Sequence, residues 1–140
     1  MKKVLAILCV VLMLFSLAAC GNDKFEAPNN SFNSAEIESY VSENKAELAQ
    51  MISDEMGFEG DIDIKVQGKG IVFDIKTAIF DNVTEDIKLQ LQEQASEVSE
   101  DYDEIVEEMK AEDERLSELE YITITLRDSD GTFIATASNR

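Results

Sequence analysis

Histidine and tryptophan are absent from this 140-residue sequence, proline occurs once, and both cysteines fall within the first twenty positions. Each shortage closes off a class of chemistry. Without histidine, and without a thiol beyond Cys20, no Ser-His or Cys-His dyad and no His-bearing zinc site can be built. With no tryptophan there is no indole to stack on a sugar, although carboxylates of the kind a glycosidase needs are plentiful. Basic residues are also scarce: 12 Lys and Arg face 30 Asp and Glu, for a net charge of −18. Phosphate recognition needs clustered cations, so nucleic acid is not an expected partner. The composition points to a non-enzymatic protein with no cofactor and no metal site. Hydrophobic residues at 44% and charged residues at 30% match one ordinary globular domain rather than a disordered chain.

The only long apolar run, the twelve residues Val4 to Phe15, follows Lys2 and Lys3 and precedes Leu17-Ala18-Ala19-Cys20. A spanning helix wants about 20 apolar residues, whereas a secretory h-region is of this shorter length. The segment resembles the lipobox signal peptide of bacterial lipoproteins. The resemblance covers residues 1–20 and implies cleavage between Ala19 and Cys20 and a diacylglyceryl group on the Cys20 thiol. Lipidation would hold the domain on the extracytoplasmic face of the cell membrane, since each buried CH₂ contributes roughly 0.8 kcal/mol. The same residues could also serve as an ordinary signal peptide or an uncleaved anchor. Charge, length, small residues and Cys position together favour the lipidated form. Removal of residues 1–19 takes the twelve basic residues to ten and leaves no free thiol.

Residues 20–33 are polar, hold the single proline, Pro28, and read as a flexible tether spanning roughly 20 Å. Residues 34–140 read as a single α+β domain. Ile37, Tyr40, Val41, Leu48, Met51, Ile52 and Met56 recur at helical spacing over 34–56, with Asn44 the one polar interruption. Asn33 or Ser34 is expected to cap this helix, Glu36 standing where a capping box needs it, and Gly57 to end it. Alternation through Asp61–Gln67, the turn Gly68-Lys69-Gly70 and alternation again through Ile71–Thr77 predict a hairpin. Thr84 should cap a second helical stretch whose stripe of Ile87, Leu91, Ala95, Val98, Tyr102, Ile105, Met109 and Leu116 extends to about Leu119. Such a helix either overhangs the domain or breaks near Ser96–Asp101. Tyr121–Leu126 and Thr132–Ala137 predict a closing hairpin around Asp128-Ser129-Asp130-Gly131.

The order is helix, hairpin, helix, hairpin (αββαββ). Polar outward positions on every strand predict a four-stranded antiparallel sheet with two helices on one face. The repeated order also allows a weak internal duplication, with Gly70–Ala78 set against Gly131–Ala137.

Three features invite chemistry. Gly68-Lys69-Gly70 completes neither phosphate-loop pattern. Asp128-Ser129-Asp130-Gly131 fails as a calcium loop, since Leu126 and Ala137 would fall at the first and last ligand positions. The run from Glu93 to Glu120 holds thirteen carboxylates against Lys110 and Arg115. Like-charge pairs at i,i+4, such as Glu104–Glu108, each cost an isolated helix roughly 0.2–0.5 kcal/mol. This acidic surface is read first as a solvated face. Its sharper reading is a docking site for a basic envelope protein, or weak divalent-cation association. The oligomeric state and the strand order are left open.

Overall fold

The computed structural model describes residues 33–56, 60–97 and 101–140. Cys20, the Ala19–Cys20 cleavage point, the tether up to residue 32, Gly57 and Val98 lie outside them. The elements run α1 (Ala35–Met56), β1 (Asp61–Gln67), β2 (Gly70–Lys76), α2 (Glu85–Glu97), α3 (Asp101–Glu112), β3 (Tyr121–Arg127) and β4 (Phe133–Ser138), with 3₁₀ turns at Ala78–Phe80 and Glu114–Leu116. The fold is α+β. Its four strands lie in sequence order.

The local signals place most boundaries. Ile37, Tyr40, Val41, Leu48 and Ile52 form the buried face of α1, and Asn44 escapes a polar penalty by donating from Nδ2 to the Tyr40 carbonyl at 2.8 Å. Thr84 caps α2, its Oγ1 accepting from the Ile87 N–H at 3.4 Å. Gly68 turns the first hairpin at φ +60, a conformation in which a Cβ is strained. In the second, Gly131 at φ +87 and the Asp128 carboxylate, which accepts from the Thr132 N–H at 2.8 Å, close the expected turn. The β3/β4 register shifts between Leu126 and Arg127, just before the turn.

Two expectations are corrected. The sheet is mixed: β1/β2 and β3/β4 are antiparallel, but β2 and β3 pair in parallel, Ile71 with Ile122 and Phe73 with Ile124. After β2 the chain passes through α2, which packs along β4, and then α3, and re-enters beside the start of β2. There the Glu120 N–H donates to the Lys69 carbonyl at 2.8 Å. A connection that returns to the starting end forces parallel pairing, and only a long crossover can do so. The second correction is the helix count, although the described helices end and resume within the Ser96–Asp101 span where a break was one of the two expectations. The stretch after Thr84 is two described helices, α2 and α3, on either side of residues 98–100, and a 3₁₀ turn carries Leu116 into the core. Three helices, not two, share one core with the apolar sheet face.

The mixed sheet also counts against duplication. The first hairpin runs from the edge inward and the second from the centre outward. Superposing β1/β2 on β3/β4 would lay the helix-covered face of one hairpin on the opposite face of the other.

Of the two residues expected to cap α1, Ser34 holds the cap position. Ser34 supplies the first carbonyl, bound by the Glu38 N–H at 3.0 Å, while Asn33 accepts from the Gly68 N–H at 2.9 Å and donates to Glu38 at 2.8 Å. The anticipated Asn33–Glu36 box gives way to a tie between the domain's entry point and the first hairpin turn.

Candidate functional site

Strand periodicity puts Ile62, Ile64, Ile71, Phe73, Ile75, Ile122, Ile124 and Leu126 on the face that the helices bury, and leaves the alternate residues on a face that none of the described helices covers. At one end of that open face Tyr121 lies across Gly70, and its hydroxyl donates to the Gln67 carbonyl at 2.6 Å. The Arg140 guanidinium sits over the same ring at 4.7 Å. In the middle, Thr123 and Thr136 are buried, and their hydroxyls bond to Ser138 at 2.9 Å and Thr125 at 3.3 Å.

At the other end is a depression of about 650 Å³ whose charged lining includes Lys45, Asp63, Lys65, Asp74, Lys76 and Arg127. Cross-strand geometry explains its ion pairs. Arg127 lies opposite Lys76, two residues beyond Asp74 on the same face of the parallel strands, and Arg127 Nε donates to Asp74 Oδ1 at 2.9 Å. Lys45, from α1, and Lys65, two residues along β1, reach Asp63 at 2.9 and 3.0 Å.

The hydrogen bond from Lys45, and then that from Lys65, pull the Asp63 carboxyl down to about 2. The Ser129 N–H lowers Asp81, and Arg115 lowers Asp113. All three carboxylates are thereby held as anions, the opposite of what a general acid at neutral pH requires.

A depressed folded-state pKa stabilises the fold above the unfolded value and loses that contribution as pH falls through the folded one. The Asp63 share should therefore be complete above about pH 4 and disappear towards pH 2. Asp63 is about half exposed, so this share is at most about 1 kcal/mol. In urea unfolding, the native chain should exceed Asp63→Asn in stability at pH 6 and lose that margin on acidification to about pH 2. A margin indifferent to pH would contradict this origin.

Ser42-Glu43-Asn44-Lys45 carries the S-x-x-K spacing of a serine–lysine pair. Both residues are exposed on α1, and the ammonium is occupied by Asp63.

The acidic run is brought together only in part. Asp101, Asp103, Glu104, Glu107, Glu112, Glu114, Glu118 and Glu120 are exposed on α3 and the turn after it. Arg115, one of its two cations, is used internally: it binds Asp113 at 2.8 Å and Glu43 of α1 at 2.6 Å, over the Tyr40 ring. Asp103 accepts from Asn139 at 2.7 Å. Among the described residues no three His, Cys, Asp or Glu converge as metal ligands, and no helix is long and apolar enough to cross a membrane.

No protein-family model, curated protein or solved structure matches the chain.

Proposed function

We propose that this chain is a lipid-anchored extracytoplasmic protein of the cell envelope, whose small α+β domain has a binding or structural role without catalysis. The observation that carries the reading is Leu17-Ala18-Ala19-Cys20 behind Lys2, Lys3 and the apolar run Val4–Phe15. In this reading Cys20 is the one modified residue, the membrane is the first partner, and residues 20–33 are the tether. The Asn33 bonds to Gly68 and Glu38 support it, because they give a tether a firm point of attachment at one end of the sheet.

A second reading, docking of a basic envelope protein on the acidic helical surface, draws on the eight exposed carboxylates of α3 and its following turn. High salt would weaken such capture, since screening shortens the reach of exposed charges to about 8 Å at physiological ionic strength.

The deciding experiment is mass spectrometry of the N-terminal peptide from isolated membranes. The expected peptide begins at Cys20 and carries a diacylglyceryl mass, and Cys20→Ser abolishes both the lipid and membrane retention. An intact precursor with a free thiol in the cytosol would overturn the reading.

A further inference from the structure

The two edges of the sheet are treated differently. At β4, the side-chain amide of Gln92 on α2 imitates a neighbouring strand: it donates to the Thr136 carbonyl at 3.1 Å and accepts from the Thr136 N–H at 3.1 Å. That edge is closed. At β1, the two-residue turn ends on the pair Gln67–Gly70. A hairpin of this length closes on a hydrogen-bonded pair. Asp61, Asp63, Lys65 and Gln67 therefore direct their backbone groups at β2, while Ile62, Ile64 and Val66 direct theirs outward. Among the described residues no side chain hydrogen-bonds to those three, and no backbone outside the ladder does.

We propose that β1 is a self-pairing edge, where a second copy of this chain adds antiparallel about a two-fold axis through Ile64 to make one eight-stranded sheet. The sequence Asp61-Ile-Asp-Ile-Lys-Val-Gln67 is complementary to itself in that register. Ile62 meets Val66 of the second copy, and Asp63 meets Lys65 of the second copy, twice over. The outward backbone of Ile62, Ile64 and Val66 makes these the hydrogen-bonded pairs. Asp63–Lys65 falls on the non-hydrogen-bonded positions, where Cα atoms approach to about 4.5 Å and side chains interact most closely.

Burial and charge agree with this occupant. Ile62 and Val66 pack on the core but stay only partly buried, so each has an apolar flank for its counterpart. Lys45, Asp61, Asp63 and Lys65 sum to zero charge in a chain of net charge −18, so two copies meet over a neutral strip while the acids of α2 flank the opposite edge. Lys45 is the obstacle. It extends from α1 to Asp63, on the side of β1 away from the helices, and guards the edge as charged side chains do on exposed strands. Pairing exchanges it for Lys65 of the second copy, at a bond that is already half exposed.

The test is sedimentation velocity and native mass spectrometry of the full chain recovered from cells in detergent, at up to about 100 μM. A two-copy species is expected. Lys65→Asp sets like charges against Asp63 on both sides and should lower the association constant by about tenfold or more. The swap Asp63→Lys with Lys65→Asp reverses the charge order and should restore it, and Lys45→Ala should raise it. Ile62→Pro, which deletes an outward N–H and spares the β1/β2 ladder, is a second disrupting variant. A chain monomeric throughout this range, association indifferent to Lys65→Asp, failure of the swap to rescue, or capture of a different protein on β1 in place of a second copy would each overturn the proposal.

Discussion

Gly70→Ala is expected to destabilise the domain by about 1–3 kcal/mol, the cost of forcing an extra group into a packed site. Gly70 opens β2, directly beside Tyr121 on the parallel strand β3. A Cβ built there would enter the Tyr121 ring, touching three of its carbons. The ring cannot simply swing aside: its hydroxyl is tied to the Gln67 carbonyl at 2.6 Å and Arg140 lies over it at 4.7 Å. The glycine is thus required by a close approach and not by an unusual φ. In a Tyr121→Thr background the obstruction is gone. Gly70→Ala should then be neutral or slightly stabilising, because alanine loses less backbone entropy on folding. The measurement is a double-mutant cycle by urea denaturation. Equal costs in the two backgrounds would show that the ring is not the cause.

Tyr102→Phe is expected to act in the opposite direction and to stabilise the domain by about 1–2 kcal/mol. Tyr102 is fully buried on α3, and its hydroxyl has no hydrogen-bond partner among the described residues. Folding strips that hydroxyl of water and returns nothing. Burial first, and then the neighbouring Asp101 carboxylate, push the phenol well above the ordinary tyrosine range, so it does not escape the penalty by ionising. Phenylalanine keeps the ring, its rotamer and its contacts with the core. Calorimetry should show a higher Tm for Tyr102→Phe. A lower one would mean that the hydroxyl is hydrogen-bonded in solution, to water or to a ligand in the core.

Both predictions concern residues whose importance periodicity alone does not convey. Tyr102 was legible as a core position, since it falls on the stripe shared by Leu91, Ala95, Ile105 and Met109. That its oxygen would find no partner was not legible, because a partner can come from any element folded against it. The open sheet face was legible too: Asp63, Lys65, Asp74 and Arg127 occupy the polar phase of strands whose other phase is apolar. Their pairing was not. Arg127 meets Asp74 only because β3 runs parallel to β2, and the antiparallel sheet anticipated from the two hairpins would set different residues opposite each other. Ile87 illustrates the other kind of error. It keeps the helical step of its stripe but remains exposed, since it lies in the first turn of α2, outside the buried pair Leu91 and Ala95.

Most helix, strand and turn positions follow from local signals, because side-chain period, caps and glycines act within a few residues of one another; the number of helices does not. The charge imbalance, and the order Lys2-Lys3, apolar run, Leu17-Ala18-Ala19-Cys20 on which the export proposal rests, are likewise matters of composition and order. Contacts between distant segments make β2 and β3 parallel, fasten Asn33 to Gly68, close one edge with Gln92 and, among the described residues, leave the outer side of β1 without a neighbouring strand. These depend on the end of the sheet at which the chain returns after α2 and α3. That choice is made by burying three helices in one core, a condition no local window of residues contains.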